Sequence, residues 1–469
     1  MRPSRLGLAV LRTVRLLLPL ALAAGILCFA SSAHAQARRI NAIDVLENSK
    51  TNDDTVILIA GVSVGDDFSD DDLTTIENRL ISSELFKDVN VQAIPQGDGV
   101  RIIINAKDKH SWVIAPTVYL QPGNKGGGFG FGENNLFGAN KKLLLYGQVA
   151  TADSMFIAGL LDPNIGGSRF FFRGDVFVRR EIVTEYGPHG KDFGNESGVR
   201  DSTMWYLNGG ILLGVNFMRG LSLDGRLRGA KVFYEDAELH SGVDPAEVFQ
   251  VAGEPIKAPS SDGYDVSTEG KLTYDRRANY YGVTHGDMFQ VAYEHSLTAL
   301  GSDFDYWVGS ARAIIARRIL SEHNLVIKTK YAQGENLPFQ QEFTAGGVDL
   351  RGFVNRQFRG DHQARATVEY SVPLFKAGSV AFRGLAFSDN AMTWFDKYQQ
   401  SKKVGDDATR NYVQWHGDNE PLDQLANGVG GGFRIYMRSI VMPLLGVDVG
   451  YGLQSGAVNV YFAVGLTEL

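Results

Sequence analysis

Residues 364–374 read ARATVEYSVPL. Ala366, Val368, Tyr370, Val372 and Leu374 share one parity, and Arg365, Thr367, Glu369 and Ser371 share the other. Successive side chains of a β-strand point to opposite faces, so this stretch is a strand with one apolar and one polar face. The pattern recurs outward in both directions. Within 204–217, Trp205, Leu207, Ile211, Leu213, Val215 and Phe217 share a face, against Asn208, Gly210, Leu212, Gly214 and Asn216. Within 221–234, Leu223, Leu227 and Phe233 oppose Asp224, Arg226 and Arg228. Near the end, Val458, Val460, Phe462, Val464 and Leu466 oppose Asn459, Tyr461 and Thr467.

These runs are about ten residues long with turn-rich separators, the pattern of transmembrane β-strands with apolar side chains toward lipid and polar ones toward a lumen. In lipid, a closed barrel is the β-structure that satisfies every backbone group. No helical period is evident from residue 112 onward. About 360 residues, at roughly 22 per strand and connection, predict about sixteen antiparallel strands. Residues 184–202, 236–263 and 396–427 are polar, Gly-rich or Pro-rich and read as loops.

Composition agrees with a β-rich chain. Among 469 residues there are 54 Gly, 14 Pro, 18 Tyr and 27 Phe. A net charge of −7 argues against a nucleic-acid surface, which carries a basic stripe. Residues 1–35 read as a signal peptide: Arg2, Arg5, Arg12 and Arg15, then an apolar Leu16–Ala30 stretch, then Ala33-His34-Ala35 for cleavage. The only cysteine, Cys28, lies in this segment. The fold expected is therefore an all-β transmembrane barrel over 112–469, exported to the bacterial outer membrane and in contact with its lipids, preceded by one small α+β domain.

That domain occupies 38–110. Ile40, Ala42 and Val45 suggest a first strand and Thr51–Gly61 a short helix. Ser69 caps a second helix, with Asp72 three residues on in a variant capping box and Leu73, Ile76 and Leu80 at helical spacing. Val89, Val91 and Ala93, then Val100, Ile102 and Ile104, alternate around the turn at Gln96–Gly99 as a hairpin. The acids Asp66, Asp67 and Asp70–Asp72 read as helix-start charge. This order resembles a POTRA domain, and LISSELFKDVNVQ (80–92) is similar to that module's passage from second helix to second strand. Only one copy fits before residue 110.

The most specific stretch is LPFQQEFTAGGVDLRGF, residues 337–353. With Gly346-Gly347 and the core Leu350-Arg351-Gly352-Phe353, it resembles the sixth extracellular loop of the BamA/TamA superfamily of outer-membrane assembly and secretion proteins (bacterial surface antigen type). GFGFGENNLFGANKKLLL (128–145), LLDPNIGGSRFFF (160–172) and GGGFRIYMRSIVMPLLGVDVGY (430–451) are similar to barrel hairpins of the same family. The resemblance implies a loop folded back into the lumen, with Arg351 meeting acids on the wall. The candidates are Glu369, on the polar face of its strand, and Asp389 in FSDNAMTW, which resembles a Phe-x-Asp-x-Gly inner-wall motif, here with Asn390-Ala391 in place of x-Gly. An Arg fork that leaves water needs such partners.

The resemblance also implies a function: assisted insertion, assembly or translocation of unfolded outer-membrane or secreted clients, with a periplasmic partner for the POTRA-like domain. It implies a seam between first and last barrel strands, expected near Gly126–Gly132 and Val458–Leu466. The same fold serves dedicated secretion pores for one partner protein, and a barrel alone serves passive channels or adhesins. No Gly-x-Ser-x-Gly elbow or His-Glu-x-x-His helix is present, and GFGFG and GVGGG lack a nucleotide-loop context. No enzyme, metal or cofactor is expected.

Overall fold

The structure, a computed structural model, describes residues 38–186, 198–245, 253–280, 282–395, 425–437 and 443–464. The signal-peptide segment lies outside the described residues. The chain divides into two compact units, Met1–Ser49 with Val56–Asp108, and Lys50–Thr55 with Lys109–Leu469.

The first unit holds strands β1 (Arg38–Leu46), β2 (Asp67–Phe68), β3 (Phe86–Gln96) and β4 (Gly99–Asp108), with helix Asp70–Ser82 and, from Val56 on, helix Asp53–Ala60. Its sheet order is β2-β1-β4-β3. β1 runs parallel to β4, and β3–β4 is the hairpin. Ile76 and Leu80 seal the second helix onto Ile40, Ile102 and Ile104. That helix starts at Ser69, whose backbone N–H donates to the Asp72 carboxylate at 2.7 Å. The acids 70–72 fill its first turn, where the helix dipole favours negative charge.

The second unit is a closed antiparallel barrel of sixteen strands. In chain order they are β5 (Trp112–Gln121), β6 (Asn124–Leu136), β7 (Lys141–Ala150), β8 (Asp153–Asp162), β9 (Phe170–Tyr186), β10 (Gly198–Met218), β11 (Leu221–Leu239) and β12 (Gly263–Asp275). A three-residue β13 (Ala278–Tyr280) continues beside β14 (Val283–Ser296) where β12 stops. Then come β15 (Trp307–Ile319), β16 (His323–Glu335), a short β17 (Phe343–Ala345) and β18 (Phe358–Gly360), β19 (His362–Ala377), β20 (Val380–Trp394), β21 (Ala426–Met437), β22 (Pro443–Gly452) and β23 (Val458–Val464). β17 and β18 pair only with each other, inside the connection from β16 to β19.

Alternation sets the two faces. Leu207, Ile211, Leu213, Leu223, Leu227, Val368, Tyr370, Val458 and Val460 are exposed, while Leu212, Asp224, Arg228 and Tyr461 are buried. A barrel in lipid inverts the soluble rule, with its apolar face outward and its polar face in. The loop boundaries expected from polarity need correction. β9, β10 and β11 run through 184–186, 198–202 and 236–239, so these strands extend well past the roughly 9–11 residues that span a bilayer. Residues 426 and 427 likewise belong to β21, and 396–424 lie outside the described residues.

The seam also needs correction. The barrel closes between β23 and β5, not β6: Phe462 faces Leu120, Ala463 faces Tyr119 and Val464 faces Val118. Gly126–Gly132 lies on the second strand, in the middle of β6. β5 hides its period because Val113, Ile114, Ala115 and Pro116 form an unbroken apolar run. Pro116 also has no N–H to donate to a ladder.

Candidate functional site: the lumenal arginine clamp

The connection 336–361 turns back into the barrel. Gly347 and Gly352 sit at φ +69° and +106°, a backbone region open to glycine at little cost. They close a tight loop in which Gly347 N–H donates to the Phe353 carbonyl at 3.2 Å. Leu350 and Phe353 are fully buried and pack with Ala345, Phe358, Ala391 and Ala426. Phe353 meets Phe358 edge-on at 5.4 Å between ring centroids. Ala391, which stands where the family motif has Gly, thus lines the seat of this apolar knot.

Arg351 projects from the knot into the wall and is 2% exposed, so its charge has little access to water. Its Nε and backbone N–H donate to Asp389 Oδ2 at 2.7 and 3.1 Å, and its Nη2 to Asp389 Oδ1 at 3.0 Å. Nη2 also reaches Glu369 at 3.1 Å, and Nη1 reaches Asp448 at 2.8 Å. The guanidinium lies over the Phe387 ring, 3.3 Å from its centroid. Around it the charges balance. Lys328 pairs with Glu369 at 3.1 Å, and Arg434 forks onto Asp448 at 2.6 and 2.7 Å. Three cations therefore meet three carboxylates, drawn from β16, β19, β20, β21, β22 and the loop. Thr367 donates a further hydrogen bond to Asp389 at 2.9 Å. Buried charge is tolerated when it is paired and hydrogen-bonded in this way.

The wall is shaped to receive the loop backbone. A β-carbon on Gly428 or Gly450 would collide with the backbone of Arg351, and one on Gly452 with the Gly352 carbonyl. Tyr461 completes the seat: its hydroxyl accepts from Gly352 N–H at 2.9 Å and donates to the Phe353 carbonyl at 3.1 Å. A second anchorage holds the opposite limb of the loop. Arg359 pairs with Glu342 at 3.0 Å and lies over the Phe339 ring, while Gln341 donates to Asp265 of β12 at 2.9 Å. Arg356 pairs with Glu181 of β9 at 2.5 Å. The loop is thus tied across the lumen.

Both acids singled out in the sequence, Glu369 and Asp389, lie on Arg351 together, and Gly346, Gly347, Leu350, Gly352 and Phe353 build the knot that aims it. Sequence reasoning missed Asp448 and Tyr461 as partners. Asp448 had a legible signal: it is the one polar residue in LLGVDVGYG, on the parity opposite Val447 and Val449. Among the described residues no group of three His, Cys, Asp or Glu is placed to hold a metal ion. Every charged group of the clamp is engaged by another, so its chemistry is that of a brace.

A model of the Omp85 superfamily domain matches residues 135–456. The outer membrane protein assembly factor BamA of Nitratidesulfovibrio vulgaris is 22% identical over 355 residues, covering 71% of this chain and 41% of that one. The chain thus spans about two fifths of the length of this curated relative. The fold is shared with BamA from Haemophilus ducreyi lacking POTRA domains 1–3 (TM-score 0.62, 17% identity, 92% of this chain and 85% of that one). It is shared too with CdiB from Acinetobacter baumannii (TM-score 0.59, 15% identity, 92% and 74%). With the family model covering more than half of its length, the chain belongs to the Omp85 superfamily, as an outer-membrane β-barrel.

Proposed function

We propose that this protein assists the insertion or translocation of other proteins at the outer membrane by opening between β5 and β23. The observation that carries this reading is where the barrel closes: its first and last strands meet there, with Phe462, Ala463 and Val464 facing Leu120, Tyr119 and Val118 up to the last described residue. Opening such a junction leaves ladder backbone that must find another partner in lipid. An unfolded client strand can supply those partners, and its own folding can supply the free energy.

The clamp supports the same reading from within. A passive channel is served by an open polar lumen, whereas here a loop tied to opposite walls crosses it. With the lumen braced, the seam is the yielding part of the wall. β9, β11, β16 and β20, the strands that precede the longest connections, all end at the barrel end opposite the start of β5, and the strands that end where β5 begins are followed by connections of seven residues or fewer. Longer loops face outward in such barrels, which supports a periplasmic side for the β5 start. Residues 1–35 are read as the export signal and 38–110 as a periplasmic POTRA-type module. In its sheet, among the described residues, β3 has a neighbour on one side only, an edge that an extended client or partner segment can join.

The test is assisted folding in liposomes. The purified protein is reconstituted, an unfolded outer-membrane barrel is added, and insertion is followed by protease protection, beside Arg351→Ala. Acceleration over empty liposomes that depends on Arg351 supports the proposal. No acceleration across several clients turns the reading toward a dedicated secretion pore for one partner, the same fold used for threading.

A further inference from the structure

The lumen wall carries a second charged feature beside the clamp. Arg312 of β15 faces Lys330 of β16 in register, and Lys330 faces Arg365 of β19. All three line one cavity of about 170 Å³ next to Arg351. Like charges directly opposite one another destabilise a sheet. This row therefore repels itself unless an anion lies against it. At one end an anion does, because Asp349 of the lumenal loop forms an ion pair with Arg365. At the other end, among the described residues, no carboxylate lies within ion-pair distance of Arg312 or Lys330; Lys330 has the Phe343 ring, 5.7 Å away. The clamp supplies no spare carboxylate, since Glu369, Asp389 and Asp448 are taken by Lys328, Arg351 and Arg434. A larger cavity of about 680 Å³ shares Arg312, Lys328 and Glu369 in its lining and gives room for a ligand.

We propose that Arg312, Lys330 and Arg365 form a lumenal carboxylate-binding site for an acidic peptide segment, with Asp349 as its occupant in cis. A guanidinium fork takes a carboxylate through paired hydrogen bonds, and the ammonium adds a point charge. The anion already on the row is a carboxylate carried by a peptide turn, which favours a peptide carboxylate over a free oxyanion. The Asp349 side chain is 53% exposed, so an incoming carboxylate competes with it at little cost. Each anion bound also relieves the repulsion of the row. The inference deepens the client-handling reading and rests on it for the source of the peptide, while binding itself is independent of it.

The experiment uses the full chain in detergent micelles at low salt, with a fluorescent oligoglutamate peptide as probe and oligolysine and inorganic phosphate as comparisons. Oligoglutamate is expected to bind saturably and oligolysine not at all. Arg312→Gln with Lys330→Gln is expected to weaken binding about tenfold or more, the loss of one to two charge-assisted hydrogen bonds. Asp349→Asn is expected to tighten it severalfold, and the charge-keeping swap Arg312→Lys with Lys330→Arg to retain it. Heat-modified gel mobility checks that each barrel is closed. Unchanged affinity in the double Gln variant, or oligoglutamate binding no tighter than phosphate, overturns the site. Binding without client insertion in liposomes leaves the site standing and removes the insertion reading; insertion without binding does the reverse.

Discussion

Arg351 holds Asp389 at three points, through Nε at 2.7 Å, Nη2 at 3.0 Å and its own backbone N–H at 3.1 Å. The same carboxylate therefore fixes both the side chain and the loop backbone that bears it. Glu369 and Asp448 keep Lys328 and Arg434 as further partners, whereas among the described residues Asp389 has only Thr367 besides Arg351.

Removing Arg351 should thus orphan Asp389 above all. Arg351→Ala is expected to destabilise the barrel by about 3–5 kcal/mol, the cost of breaking a buried pair. Adding Asp389→Asn should recover part of that loss, because the uncompensated charge goes with it. Urea midpoints of the refolded barrels measure both. Arg351→Lys should recover less than half, since an ammonium cannot reproduce the fork.

The glycine seat makes a steric prediction. Gly428→Ala puts a β-carbon into the Arg351 backbone and should expel the loop, at a cost of about 1–3 kcal/mol. Gly270→Ala meets open space on another part of the wall and should stay within about 0.5 kcal/mol of the parent. Limited proteolysis within 337–361 reports whether the loop has left the lumen. Equal protection in both variants would contradict the close-approach argument.

Tyr461→Phe removes one hydroxyl and leaves the Gly352 N–H and the Phe353 carbonyl buried without it. The expected cost is about 1–3 kcal/mol. Amide hydrogen exchange at Gly352 should quicken selectively, with exchange in β1–β4 unchanged.

How much of this was legible in the sequence depends on where the signal lay. Strand parity exposed the inward set of β19, including Glu369, because polar and apolar residues alternate cleanly there. The barrel class and a strand number near sixteen followed from repeated alternation. The loop motif led to Arg351 and Asp389 through resemblance. Asp448 was missed because its partner stands 97 positions away, a distance that only barrel closure brings together. β5 was missed because a continuous apolar run carries no period and Pro116 interrupts it, so the seam was drawn one strand too late. The ends of β9–β11 were read as loops because they project beyond lipid, where polar residues face outward as readily as inward.

A conductance measurement separates the brace from a passive pore. In planar bilayers the parent should conduct weakly. Arg351→Ala should conduct more, or flicker, as the loop loosens. High, steady conductance in the parent would favour the channel reading.

The seam itself is tested most directly by locking it. Cys28 lies within the predicted signal peptide, so Leu120→Cys with Phe462→Cys, which face each other across β5 and β23, introduces a single bridge into the barrel. Client insertion in liposomes is measured oxidised and then reduced. The account predicts that the bridged protein loses its acceleration and that reductant restores it. Undiminished insertion with the bridge intact would contradict opening at β5–β23.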